Sequence, residues 1–181
     1  MKKVIYHGET YYYNKGKIYD DTFIQVPVSV SSGILDGFFN TIDHKVLEES
    51  EFVTLVKELK LAEKYNRCLK TINYGLKKFT ESFSYYQVVF PIITSCYRAL
   101  GQPQKAIDFW ERNKKLFSSC LTVPLLTSLA AAYCDVGDYE KATKCANRAY
   151  SMQGGAQSGS TELSGVYGRI KKETGEKYRF N

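Results

Sequence analysis

The residues that usually carry out catalysis are few in this sequence and are not spaced as a reaction would require. The two histidines, His7 and His44, lie in the N-terminal part, and neither sits in a metal-binding spacing such as H-E-x-x-H. The adjacent acid pairs Asp20-Asp21 and Glu48-Glu49 point their side chains apart on a strand or a helix, which is poor geometry for acid-base chemistry. No nucleophile has a base beside it. We therefore predict that the chain is not an enzyme and binds no metal or cofactor.

Phosphate-binding loops are also missing from the sequence. No G-x-x-x-x-G-K-[ST] or G-x-G-x-x-G motif occurs. The glycine-rich stretch 154–160 follows a predicted helix rather than a strand, so its composition favours a flexible linker.

The cysteines and the apolar runs predict a cytoplasmic protein. The five cysteines are an odd number without a C-x-x-C pair, which favours reduced thiols. Four of them fall on predicted helices and are expected to be small core residues, namely Cys68, Cys96, Cys134 and Cys145. The first residues carry too short an apolar run for an export signal. No apolar run approaches the ~18 residues that span a bilayer.

The stretch from Leu126 to Met152 has the strongest pattern in the chain. Its first half carries apolar or small residues at the i, i+3, i+4 and i+7 positions of a helix, namely Leu126, Leu129, Ala130 and Tyr133. Gly137 suits a left-handed turn, and Asp138 can cap a second helix. That second helix has small residues at intervals of three or four, namely Ala142, Ala146 and Ala149. The pattern predicts two helices folded back on each other.

The same pattern recurs twice towards the N-terminus. At an offset of 36 residues, Tyr97 and Gly101 stand where Tyr133 and Gly137 stand in the first copy. The apolar positions of this second copy are Phe90, Ile93, Tyr97, Ala106, Ile107 and Trp110. A third copy lies a further 38 residues back and lacks the turn glycine. Counted from the N-terminus, this copy is the first repeat, the copy with Tyr97 is the second repeat and the copy with Tyr133 is the third repeat. Its helices carry Phe52, Leu55, Val56 and Leu59, then Tyr65, Cys68, Ile72 and Gly75. The repetition predicts three helical hairpins over residues 43–153.

These copies resemble the tetratricopeptide repeat (TPR) over roughly residues 48–153. The copy at 126–152 matches the leucine, small residue, tyrosine, glycine-aromatic turn and alanines of that family. It departs at Leu126, where a large aromatic is usual, and at Gly154, where the closing proline would stand. The resemblance implies an all-α, TPR-like array of antiparallel helical hairpins. It also implies a non-catalytic scaffold whose first helices line a concave groove for a peptide or an extended segment of a protein partner.

The resemblance also assigns groove positions in each of the three copies. They are Val53, Lys57, Lys60, Val88, Pro91, Ser95, Arg98, Thr127, Ala131 and Asp135. The Lys/Asn/Arg set with which some TPR domains clamp a chaperone's C-terminal carboxylate is absent. Because the groove positions are mostly apolar or small, we expect the partner to present a hydrophobic segment.

Residues 1–42 differ in character from the repeats. Tyrosines 11–13 and Ile18-Tyr19 flank a turn at residues 14–17, which predicts a β-hairpin. Four β-branched residues alternate with polar ones and predict an extended segment, namely Ile24, Val26, Val28 and Val30. Pro27 confines that segment to a sheet edge or to an arm lying on the helices. A short helical turn is expected at residues 34–40, and Asp43 is expected to cap the first long helix.

Two placements of this N-terminal segment are open. In the first, the segment lies in the groove and occupies part of the surface that a partner would use. In the second, it covers only the outer edge of the first repeat. At the other end of the chain, residues 161–181 contain a stripe that predicts a capping helix from about residue 161 to 174, made of Leu163, Val166, Tyr167 and Ile170.

The charge is unevenly distributed along the chain. The formal net charge is −3 over residues 1–56, +7 over residues 57–120 and +2 over residues 121–181, which sums to +6. The basic residues of the first repeat are Lys57, Lys60, Lys64, Arg67, Lys70, Lys77 and Lys78. They form either a solvated face whose lysine stems cover apolar surface, or a surface for an acidic partner. That partner would be a nucleic acid, an acidic peptide or the chain's own N-terminal segment. A helical repeat protein that binds nucleic acid is therefore the alternative function.

Overall fold

The computed structural model describes residues 1–80, 82–114, 121–154 and 161–175. The chain forms two compact units, unit 1 at residues 1–80 and unit 2 at residues 81–181. It is mostly helical, with a small three-stranded sheet at the N-terminus. Residues 155–160 of the predicted linker and residues 176–181 of the predicted tail lie outside the described residues.

Unit 1 begins with an antiparallel sheet of three strands in the order β1-β2-β3. The strands are β1 (Lys2–Tyr6), β2 (Glu9–Asn14) and β3 (Lys17–Tyr19). Each of the two turns has two residues with positive φ, His7-Gly8 and Lys15-Gly16, which is the backbone that two-residue hairpins favour. The predicted hairpin is confirmed as β2 and β3, whereas β1 was not predicted.

Three helices complete unit 1, namely α1 (Val28–Asn40), α2 (Glu49–Leu61) and α3 (Tyr65–Lys78). The predicted extended segment over residues 24–30 is confirmed only at its start, where Gln25 forms an isolated antiparallel bridge with Tyr19 of β3. It is wrong from Val28, where α1 begins. Pro27 precedes it as the N-cap residue with φ −54°, a position where a missing N–H costs nothing. Val28 and Val30 are 77% and 52% exposed. The buried side chains of α1 instead follow a helical spacing, with Ile34, Leu35 and Phe39 in the core.

The start of α2 also differs from the prediction. Asp43 does not cap this helix, which begins six residues later, and its carboxylate accepts from the backbone N–H of Lys45. Glu48 and Glu51 form a reciprocal capping box at the true start. The capping-box pattern requires a side-chain acceptor and a glutamate three residues later, and Glu48 supplies the first where serine or threonine is usual.

The N-terminal sheet packs on one side of α2. The Tyr13 hydroxyl donates to the Glu58 carboxylate, and Gly16 lies against the backbone of Leu61. A cavity of about 260 Å³ between the two parts is lined on α2 by Glu51, Thr54, Leu55 and Glu58. The predicted groove residues Val53, Lys57 and Lys60 lie on the opposite side of the helix, by its 100° step per residue. Within unit 1, the sheet therefore packs on the side of α2 away from these three residues.

Unit 2 contains the remaining helices, namely α4 (Phe83–Ala99), α5 (Pro103–Asn113), α6 (Val123–Asp135), α7 (Tyr139–Met152) and α8 (Thr161–Thr174). α6 packs against α4 and α5, and α8 packs in the same way against α6 and α7. α8 has the bounds that its stripe predicts, and Leu163, Val166 and Ile170 are buried. None of the helices in the described ranges is long and apolar enough to cross a membrane.

The three helix pairs α2–α3, α4–α5 and α6–α7 share one type of turn. Each turn has three residues, and its middle residue has positive φ, at Glu63 (57°), Gly101 (69°) and Gly137 (78°). In each turn the last N–H donates to the carbonyl five residues earlier, as Lys64 does to Leu59. The middle N–H donates three residues back, as Glu63 does to Lys60. This is the Schellman arrangement, which satisfies the last carbonyls of the first helix.

The first helices of the pairs share a buried stripe, and α8 continues it. The positions Phe52, Phe90, Leu126 and Leu163 are 38, 36 and 37 residues apart, and each is 3% exposed or less. The same offsets relate the other stripe positions, with Leu59, Tyr97, Tyr133 and Ile170 at its end.

The four cysteines that were predicted to lie in helices do so. Three of them are buried and Cys145 is half-buried. Trp110, predicted to face the core, is only half-buried.

Candidate partner-binding groove

The second-repeat groove residues lie together along one face of α4. Val88, Pro91, Ser95 and Arg98 are three or four residues apart, so they follow each other along the helix. All four are half-buried. Pro91 lies inside α4, and it has no N–H to donate to the carbonyl of Gln87. This face therefore combines apolar side chains with a backbone oxygen that lacks its intrahelical donor.

An ion network lies at the C-terminal end of this face. Arg98 Nε of α4 donates to Asp135 Oδ2 of α6 at 2.5 Å, and Arg169 Nη2 of α8 donates to Asp135 Oδ1 at 2.6 Å. Partial burial alone would raise the pKa of the Asp135 carboxyl, but the two guanidinium groups outweigh it and hold this pKa below its ordinary value. One carboxylate thus joins the successive first helices α4, α6 and α8.

A cavity of about 650 Å³ adjoins this network. Three of the predicted groove residues line it, namely Ser95, Arg98 and Asp135. The cavity also includes Glu162, from the first turn of α8. Glu162 and Arg169 were not predicted to lie at this site, because α8 was expected to act only as a cap. The offset of 37 residues between the stripes of α6 and α8 is the signal that would have found them, since it places α8 as a further first helix.

Two of the predicted groove residues on α6 are not accessible. Thr127 is 1% exposed and Ala131 is 3% exposed, so neither side chain can contact a partner in this conformation. The physical reason is that α6 is flanked by α4 on one side and α8 on the other, and it is buried almost all round. The Thr127 hydroxyl has no hydrogen-bond partner among the described residues.

The groove residues of the first repeat lie in unit 1, on α2. Lys57 is exposed, and Val53 and Lys60 are half-buried. They share a face of α2, since they are three or four residues apart.

Three of the seven basic residues of the first repeat bind within unit 1. Lys64 Nζ contacts Asp36 at 2.9 Å and donates to the carbonyl of Ser32 at 3.1 Å. Arg67 Nη2 donates to the carbonyl of Phe39 at 2.5 Å, at the end of α1. Lys78 Nζ donates to the carbonyls of Lys45 and Leu47, at 2.9 and 2.7 Å. These three basic side chains, at the N-cap of α3 and within it, therefore bind to α1 and to the loop before α2. Their acceptors are mainly main-chain oxygens rather than carboxylates.

Comparison with protein-family models, with curated proteins and with solved structures finds no match to this chain.

Proposed function

We propose that this chain is a non-catalytic protein-interaction module, built as a divergent TPR-like array. In this proposal, the face of α4 and the adjoining cavity of unit 2 hold an extended segment of a protein partner. The observation that carries the proposal is the position of Asp135, which accepts from Arg98 of α4 and from Arg169 of α8. First helices that lie side by side form the concave surface of helical repeat proteins.

The shared turn and stripe support the repeat part of the proposal. Three hairpins have the same three-residue turn with the same pair of backbone hydrogen bonds. Four first helices carry the same buried stripe at offsets of 38, 36 and 37 residues. Recurrence of both features at matching positions favours one repeated unit over an unrelated set of helices.

The α4 face suggests what kind of segment would bind. Its N-terminal half presents Val88 and Pro91, and its C-terminal half leads to Ser95 and to the charged groups around Asp135. α4 has 17 residues, a length of about 25 Å, which an extended chain of about seven residues would match. We expect a segment with apolar side chains at one end and polar or charged side chains at the other.

Selection from a displayed peptide library with the full chain as bait tests this proposal. The expected result is enrichment of extended peptides that share an apolar end, and loss of their binding on Ser95→Glu, which places a carboxylate in the cavity. The matched control is Ser151→Glu, an exposed position on α7. Failure to enrich any peptide family, or equal binding by both variants, would count against the groove.

The nucleic-acid alternative has less support. Lys64, Arg67 and Lys78 form hydrogen bonds or ion pairs within unit 1. Of the basic residues of the first repeat, this leaves Lys57, Lys60, Lys70 and Lys77. A salt titration tests it, because nucleic-acid affinity falls steeply with salt by a slope that counts phosphate contacts.

The cytoplasmic location stays a prediction from the cysteines.

A further inference from the structure

A second cavity, of about 510 Å³, lies in unit 1 between α1, α2 and α3. This volume falls within the ~300–1,000 Å³ of small-molecule sites. Its apolar wall consists of Phe39 and Leu55, which are 1% and 9% exposed, and the half-buried Ile42. Phe39 and Leu55 have little surface left in water, so the half-buried Ile42 offers most of the carbon surface that a ligand with an apolar body would cover in this cavity.

The charges around this cavity are not balanced. Arg67 and Lys70 of α3 line it. Among the described residues, Arg67 donates only to neutral oxygens, at 2.5 Å to Asn40 Oδ1 and at 2.5 Å to the carbonyl of Phe39. Lys70 has no hydrogen bond or ion pair to any described residue. The carboxylate that lines the cavity, Asp36, is paired with Lys64 at 2.9 Å. Within the part of the chain that the structure describes, Arg67 and Lys70 therefore have no carboxylate partner at the cavity.

Arg67 and His44 are already held in position by contacts within unit 1. The two hydrogen bonds of Arg67 fix its guanidinium to the end of α1. His44, which also lines the cavity, packs edge-to-face on Tyr74 with ring centroids 4.8 Å apart. Its ring nitrogens have no hydrogen-bond partner within the described ranges, so the imidazole is available to a polar group. A fixed cation, an uncommitted ammonium and an uncommitted imidazole beside an apolar wall are the groups that an amphipathic anion requires.

We propose that this cavity binds a small organic anion with an apolar body. The anionic group, a carboxylate or a phosphate, lies near Lys70 and Arg67, and the apolar body lies on Phe39, Ile42 and Leu55. A charge-assisted contact to Lys70 then supplies the counter-ion that the cavity lacks. This proposal concerns unit 1 and does not depend on the groove of unit 2.

The test is titration calorimetry of the full chain with four probes. The probes are hexanoate, phenyl phosphate, the neutral 1-hexanol and inorganic phosphate. We expect hexanoate or phenyl phosphate to bind at least about tenfold more tightly than the neutral alcohol and than phosphate alone, and the tighter of the two identifies the anionic group. Binding of both organic anions no tighter than that of 1-hexanol, or no heat from either organic anion up to about 10 mM, would overturn the proposal.

Variants of α3 locate the site. Lys70→Met removes the charge while retaining an apolar stem, and we expect it to weaken binding of the organic anion at least about fivefold. Lys77→Met is the matched control on the same helix, where the side chain is exposed and does not line the cavity. It should change the affinity less than about twofold, because its ammonium, although exposed like that of Lys70, does not line the cavity. Equal effects of the two substitutions would contradict the assignment.

Discussion

Gly16 lies so close to Leu61 that a Cβ atom on the glycine would stand 2.6 Å from the Leu61 carbonyl carbon. The glycine is in the β2–β3 turn, and the leucine is the last residue of α2. Side-chain carbons do not approach backbone atoms at this distance, so the sheet can pack on α2 only if residue 16 is glycine. Lys15 and Gly16 also need positive φ for the two-residue turn.

We therefore predict that Gly16→Ala destabilises unit 1 more than Gly8→Ala does. Gly8 has a similar φ of 86°, but a Cβ there would meet nothing within 4 Å. The Gly8 variant should cost only the conformational penalty of about 1 kcal/mol. The Gly16 variant should cost at least about 2 kcal/mol, because it also forces the sheet from α2. Urea unfolding measures both, and equal costs would show that the sheet does not depend on this contact.

The turn of the first hairpin gives a second prediction. Glu63 has φ 57° at the position that Gly101 and Gly137 occupy in the other two turns. Glu63→Gly should relieve this strain and stabilise the protein by about 0.5–1 kcal/mol, since glycine adopts this backbone without a Cβ clash. Glu63→Ala keeps the strain and serves as the control, with a change of less than about 0.5 kcal/mol. If urea unfolding shows the glycine variant to be no more stable than the alanine variant, Glu63 is not strained at this turn position.

The network at Asp135 gives a third prediction, with a pH dependence. Asp135→Asn should cost about 1–2 kcal/mol at neutral pH, because two charge-assisted hydrogen bonds become neutral ones on a partly exposed group. Arg98 and Arg169 hold the folded pKa of Asp135 below its ordinary 3.8. The unfolded chain therefore takes up this proton first as the pH falls. The stabilisation is complete above about pH 4 and disappears as the pH falls through the folded pKa.

Unfolding of the parent and of Asp135→Asn at several pH values measures this effect. The difference in free energy should be largest near neutral pH and should vanish in strong acid. Glu173→Gln, an exposed position on α8, is the control and should leave the curve within about 0.5 kcal/mol of the parent at every pH. A difference between Asp135→Asn and the parent that persists unchanged below pH 3 would exclude a charge-based role, on the scale that linkage sets.

The helices of unit 2 were predictable because their apolar residues keep a helical spacing and their turns contain Gly101 and Gly137. Local signals of this kind do not depend on tertiary contacts. The segment at residues 24–30 was not predictable in the same way. Its alternating valines favour a strand, but Pro27 starts a helix and the burial of Ile34, Leu35 and Phe39 determines its course. Tertiary packing outweighs the local β preference there.

The exposure of the predicted groove residues could be foreseen only in part. Spacing alone places Val88, Pro91, Ser95 and Arg98 on one face of α4. Spacing could not show that α8 closes over α6, so Thr127 and Ala131 were expected at a surface although they are buried. The role of Arg67 and Lys78 as donors to main-chain carbonyls also has no sequence signal, because a carbonyl acceptor is present at every residue.

The α4 face of unit 2 is where we propose that an extended segment of a partner binds. The most direct measurement is the dissociation constant of a selected peptide, by fluorescence anisotropy, for the parent, Val88→Asp, Ser95→Glu and Ser151→Glu, each first shown to unfold cooperatively like the parent. We expect Val88→Asp and Ser95→Glu each to weaken binding at least about tenfold, or about 1.4 kcal/mol, while Ser151→Glu stays within about twofold. Equal affinity of all four proteins for the peptide would contradict it.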